Sequence, residues 1–244
     1  KAVALSPQDA ASHYNLGNTF KELGRLNDAE ASYKKAIVLK PDYAEAHYNL
    51  GITFQELRKL DSAQASYSRA IALQPYNAEA HFNLGTTFQA LGKLNEAEAS
   101  LRHAITLKSD YAVAHNNLGN ILRELGKLDQ AETSLRRALA LTPEFTEAYY
   151  NLGLILQELR RFDEAQTTYM QAITLKPDFA EAYYNLGMIL HQTGRVYESL
   201  IPAQKAVDLS PQDSAAHNNL GVVFQQLGRF SEAEASYMRA IALT

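Results

Sequence analysis

No cysteine occurs in the 244 residues, which excludes disulfides and thiolate chemistry without naming a compartment. Charge of one sign is lacking too: Lys+Arg 23 against Asp+Glu 27 leaves a formal −4, with no basic run, so binding by phosphate neutralisation is not expected and nucleic acid is set aside as a partner. Polar residues break every apolar stretch within a few positions; none is long enough to span a bilayer, and no signal peptide opens the chain. The expectation is a soluble, cytoplasmic protein with no membrane partner. Glycines come as periodic singles rather than as a phosphate-cradling cluster, and no nucleophile or acid–base pair stands out. Neither a catalytic constellation nor a cofactor is expected.

What is present is a period. Gly17, Gly51, Gly85, Gly119, Gly153, Gly187 and Gly221 stand 34 residues apart without a slip, each ending an Asn-Leu-Gly triplet. Alanines follow at fixed offsets (Ala29 and Ala36, Ala63 and Ala70, Ala97 and Ala104), and prolines close most units at Pro41, Pro75, Pro143, Pro177 and Pro211, with Ser109 the exception. In the type unit a first helix is expected over Ala10 to Leu23, with Leu16, Phe20 and Leu23 on its packing face. Gly24 supplies a left-handed stop, repeated at Gly92, Gly126, Gly194 and Gly228; Arg58 and Arg160 replace it at a small steric cost. Asn27 and Glu30 read as a capping box opening the second helix, as do Asp61/Gln64, Asn95/Glu98, Asp129/Glu132, Asp163/Gln166 and Ser231/Glu234.

Glycine inside a helix costs about 1 kcal/mol relative to alanine, so Gly17 needs a reason. A close helix crossing is the one the pattern offers, since Ala29 and Ala36 are also small. Tyr33, Tyr67, Tyr169 and Tyr237, with Leu101 and Leu135 in their place, would fill the wider part of that seam. Unit six departs from the pattern: Tyr197, Ser199, Leu200 and Ala203 replace the usual residues, and Pro202 falls at an interior helix position. A late start capped by Ser199, or a kink, is expected there.

The period and its wording resemble the tetratricopeptide repeat. The resemblance covers the chain: repeats at about 10–43, 44–77, 78–111, 112–145, 146–179, 180–213 and 214–244, after 1–9 as the tail of a preceding repeat. It implies an all-α, right-handed superhelical solenoid of seven helix-turn-helix units whose first helices line a concave groove. The chain is expected to be a fragment of a longer array. Head-to-tail self-association is expected between an apolar last-helix face, with Ala233, Ala240, Ile241 and Leu243, and a stub with Ala2, Val3 and Leu5.

Removing the packing face leaves Ala11, Tyr14, Asn15, Asn18, Lys21 and Glu22 for the groove. Asparagine never changes along it: Asn15, Asn49, Asn83, Asn117, Asn151, Asn185 and Asn219. One residue earlier the chain reads Tyr14, Tyr48, Phe82, Asn116, Tyr150, Tyr184 and Asn218. A primary amide both donates and accepts, so a ladder of them suits the backbone of an extended peptide; a structural purpose is the other reading. The ladder is similar to that of the superhelical repeat region of O-GlcNAc transferases, which implies recruitment of protein substrates to a following glycosyltransferase domain. Chaperone-binding family members carry a lysine where Tyr14 stands, so a carboxylate clamp is not expected. His13, His47, His81, His115 and His217 lie a full repeat apart, too far to share a metal, and Tyr149 and Tyr183 fill the same slot. Tyr43, Tyr111, Phe145 and Phe179 belong to the junctions between repeats. The expected function is a protein–protein interaction scaffold holding an extended partner segment; the substrate-recruiting arm of a larger O-GlcNAc-transferase-like enzyme and a self-assembling structural scaffold are the alternatives.

Overall fold

The computed structural model describes residues 9–244 and is all-helical across them. The stub Ala2, Val3 and Leu5 lies outside the described residues. Two compact units divide the chain, one ending at Gly126 and one beginning at Lys127. The first holds α1 (Ala10–Glu22), α2 (Leu26–Leu39), α3 (Ala44–Glu56), α4 (Leu60–Leu73), α5 (Ala78–Ala90), α6 (Leu94–Leu107) and α7 (Ala112–Glu124). The second holds α8 (Leu128–Leu141), α9 (Thr146–Glu158), α10 (Phe162–Leu175), α11 (Ala180–Gln192), α12 (Val196–Leu209), α13 (Ser214–Gln226) and α14 (Phe230–Ala242). Inside each unit consecutive helices pack pairwise, and each pair packs on the next. No helix among the described residues is long and apolar enough to cross a membrane.

The seam inside a pair explains the helical glycine. Ala29, Tyr33 and Ala36 of α2 are fully buried, and a Cβ built on Gly17 would lie 2.6 Å from Tyr33 Cε1. The ring therefore sits over the glycine itself rather than beside the crossing. Tyr67 over Gly51 and Tyr237 over Gly221 repeat the arrangement at 2.7 Å, and Leu101 over Gly85 at 2.9 Å.

Each first helix of the pairs stops through the same turn. Gly24 (φ 70°) donates to Lys21 O and Arg25 to Phe20 O, the two bonds of a Schellman motif. Arg58 (φ 59°) and Arg160 (φ 61°) take the same left-handed conformation, which costs a non-glycine residue about 1–2 kcal/mol. Leu23 is the C-cap of α1 and is 65% exposed, so it leaves the packing face assigned to it.

The capping boxes do not form. The turn is so short that the basic residue closing the Schellman motif is also the N-cap of the second helix: Arg25, Lys59, Lys93, Arg161, Arg195 and Arg229 stand there, without a side-chain cap bond. Asn27 is consequently already inside α2. Glu30 instead receives Lys34 at 2.6 Å and Lys59 of the following repeat at 2.7 Å, a strut between successive second helices. Lys93 to Gln64 (2.8 Å), Arg161 to Glu132 (2.7 Å) and Arg195 to Gln166 (2.6 Å) are the same strut. Side-chain capping occurs at first helices, where Asp9, Asn77 and Asp213 accept from first-turn amides.

Repeat six is also corrected. α12 runs unbroken from Val196 to Leu209, with 14 residues like α10, and Pro202 inside it. Neither the late start nor the cap is found; Ser199 Oγ donates to the Val196 carbonyl at 2.7 Å. The irregularity lies in the seam instead. With Ala203 in place of the ring, a Cβ on Gly187 would meet the Ala203 backbone nitrogen at 3.3 Å, so backbone rather than a large side chain faces this glycine. Two buried nitrogens near the absent phenol, His191 Nε2 and Asn219 Nδ2, have no hydrogen-bond partner. In α14, Ala233 and Ala240 turn inward, and the exposed apolar side chains are Phe230, Met238 and Ile241.

Candidate functional site

The first-helix side chains assigned to ligand binding fall into two groups. In the first, the aromatic row is half-buried and knits repeats together. Tyr14 packs on Tyr33 (ring centroids 5.9 Å) and on the junction residue Tyr43 (4.9 Å). Phe82 meets Tyr111 at 5.0 Å, and Tyr150 meets Tyr169 at 6.0 Å and Phe179 at 4.9 Å. Burial pushes the phenols of Tyr48 and Tyr184 above their usual range, keeping them neutral.

Three of the asparagines each hold the phenol of the preceding repeat. Asn49 Nδ2 donates to Tyr14 Oη at 3.0 Å and to Asn18 Oδ1 at 2.9 Å; Asn83 reaches Tyr48 Oη at 3.0 Å and Asn185 reaches Tyr150 Oη at 3.2 Å. Asn117 follows Phe82, which has no hydroxyl, and accepts from Asn116 at 3.2 Å. Asn15 is exposed, Asn151 is half-buried, and Asn219 is 5% exposed. Spacing alone could not show this pairing, because the partner stands 35 residues back.

Histidines fasten the turns. His47 Nε2 donates to the Pro41 carbonyl at 3.1 Å, His81 to Pro75 at 3.0 Å and His217 to Pro211 at 3.1 Å. Burial is the main cause that lowers His47 and His81 from their ordinary value, partly offset by those bonds. No group of three His, Cys, Asp or Glu side chains able to hold a metal occurs among the described residues.

In the second group are the side chains one turn further along the first helices, and they line open depressions. In the first unit, Ile52, Gln55, Glu56 and Arg58 surround about 450 Å³. In the second unit, the equivalent Leu154, Gln157, Glu158 and Arg160, with Asn185, surround about 370 Å³. Ile52 and Leu154 are half-buried. Gln157 Oε1 accepts from Tyr169 Oη at 3.0 Å and Gln55 Oε1 from Tyr67 Oη at 2.9 Å, so the seam ring fixes each amide from below. The sequence marked Asn18 for the groove but not its counterparts Ile52 and Leu154, whose apolar character mimics core. The combination of an apolar floor, an oriented amide and a charged rim suits a polypeptide segment better than a small apolar molecule.

Family models described as "TPR repeat" match residues 17–57, 56–92 and 119–160, and models described as "Tetratricopeptide repeat" match 1–31, 78–111, 150–214 and 214–243. No curated protein sequence matches significantly. Among solved structures, the chain is similar to MamA protein (25% identity, TM-score 0.66, covering 70% of this chain and 94% of that one). It is likewise similar to YrrB, "a TPR protein with an unusual peptide-binding site" (25% identity, TM-score 0.65, 75% and 95% covered). A tetratricopeptide repeat protein from Parabacteroides merdae shares the fold over 96% of this chain and 93% of its own at 17% identity and TM-score 0.75. The chain belongs to the tetratricopeptide repeat family.

Proposed function

We propose that the chain is a protein–protein interaction scaffold that binds extended segments of partner proteins on the first-helix face of each unit. The observation that carries the reading is the pair of equivalent depressions, each with an aliphatic floor, Ile52 or Leu154, beside an amide held from behind by a tyrosine hydroxyl. An oriented amide meets a peptide backbone irrespective of its sequence, and an aliphatic floor takes one side chain of the segment. Asn49, Asn83 and Asn185 spend donor capacity on the neighbouring phenol, which leaves their carbonyl oxygens the more suitable group for a ligand N–H. The likeness to YrrB supports the reading at the level of what that protein binds.

A peptide-array screen on the whole chain, followed by titration of Ile52→Asp and Leu154→Asp, tests it. Loss of a half-buried aliphatic contact should weaken binding by about tenfold or more while circular dichroism is unchanged. Unchanged affinity in both variants would remove the first-helix face from consideration.

The arm of a larger O-GlcNAc-transferase-like enzyme is a second reading, favoured by the unbroken asparagine row; the parent gene read past Thr244 decides it. Self-assembly is a third, favoured by the exposed Phe230, Met238 and Ile241 of α14, and light scattering at several concentrations decides that.

A further inference from the structure

Arg58 and Arg160 recur three repeats apart, in the only two turns of this kind among the described residues that use a side chain where glycine is the less costly choice. Each borders the depression of its own unit and is the only cation lining it. Among the described residues neither guanidinium has a carboxylate partner. Arg160 rests 5.7 Å over the Phe162 ring, a contact that positions the group without neutralising it. The neighbouring carboxylates do not distinguish these repeats, because Glu22 and Glu124 occupy the same place at the ends of α1 and α7. Arginine in a left-handed turn beside an open depression does distinguish them.

We infer that Arg58 and Arg160 are specificity-determining contacts that make each unit select an extended segment carrying a carboxylate side chain. The inference rests on the peptide-binding reading above and names its ligand class. A guanidinium presents a planar fork that matches a carboxylate with two parallel bonds, whereas lysine offers a point charge. The chain's net charge of −4 disfavours acidic ligands at long range, so a preference for them has to come from local cations such as these.

The test pairs binding with stability. A fluorescein-labelled Ser/Ala peptide carrying one apolar residue, and the same peptide with added aspartates, are titrated against the whole chain, against Arg58→Gly/Arg160→Gly and against Arg58→Lys/Arg160→Lys. Glycine keeps the Schellman turn and removes its strain, so the melting temperature should rise by a few degrees while the preference for the acidic peptide falls about tenfold. The lysine variant should keep the strain and restore only part of the preference. Acidic preference retained in the glycine variant overturns the inference and leaves peptide binding standing, as does a fall in melting temperature with binding intact, which would make the arginines part of the fold. Failure of the wild-type chain to bind either peptide overturns both.

Discussion

The ring of Tyr169 occupies the space that a side chain at Gly153 would need: a Cβ there would stand 2.5 Å from Tyr169 Cε1. Tyr169 is fully buried, with its hydroxyl anchored on Gln157, so it cannot swing aside cheaply. Gly153→Ala should destabilise the chain by about 1–3 kcal/mol through overpacking. In repeat six the nearest atom to a Cβ on Gly187 is Ala203 N at 3.3 Å, and the gain in helix propensity of about 1 kcal/mol offsets part of that contact. Urea unfolding of the two variants should therefore rank Gly153→Ala below Gly187→Ala; the reverse order would contradict the seam described here.

Asparagine pins the preceding repeat, and a double-mutant cycle measures how strongly. Asn83→Ala and Tyr48→Phe each remove one side of a 3.0 Å bond. Their effects on stability should be non-additive by about 0.5–1.5 kcal/mol. A coupling of zero would mean that the amide is not committed between repeats.

Pro202 occupies the position that Ser32, Ser66, Ser134 and Ser236 fill, all of them buried, in sister repeats. Because α12 is continuous, the proline removes one helical hydrogen bond without ending the helix. Pro202→Ser restores the repeat's own residue and should raise stability by up to about 3 kcal/mol. A lower melting temperature would show that the proline's packing outweighs the bond it removes.

The histidine staples give a pH dependence with a defined sign. The folded state lowers His47 and His81 below 6.5, so the neutral rings are favoured on folding. The unfolded chain takes up protons first as pH falls; stability is full above that value and is lost progressively as pH falls toward the folded values. His47→Gln with His81→Gln should flatten the loss between roughly pH 7.5 and 5.5. Glu30 acts in a separate window: its hydrogen bonds with Lys34 and Lys59 lower it from 4.5, so its contribution disappears only at more acid pH.

The fold was legible because one period fixed every helix, glycine turn and alanine seam, and the left-handed arginines followed from alignment with Gly24. Contacts between repeats were not legible. Glu30 looked like half of a capping box because local spacing matches one, yet its partner Lys59 lies 29 residues on and only packing brings it near. The asparagine row was visible as a row, whereas the tyrosine hydroxyl that Asn49, Asn83 and Asn185 each meet depends on which neighbour fills the gap. Unit six stood out through Tyr197, Ser199, Leu200, Ala203 and Pro202, but the consequence expected at the helix start fell in the seam, at Ala203, His191 and Asn219, because a continuous helix tolerates the proline while a missing ring leaves two nitrogens unpaired.

Hydrogen–deuterium exchange of the whole chain, with and without a peptide selected from the array, tests the central claim most directly. Binding on the first-helix face predicts slower exchange in α3 and α9, around Ile52–Glu56 and Leu154–Glu158, with the second helices α4 and α10 unchanged. Protection confined to the second helices, or absent from both depressions while the peptide is bound, would contradict it.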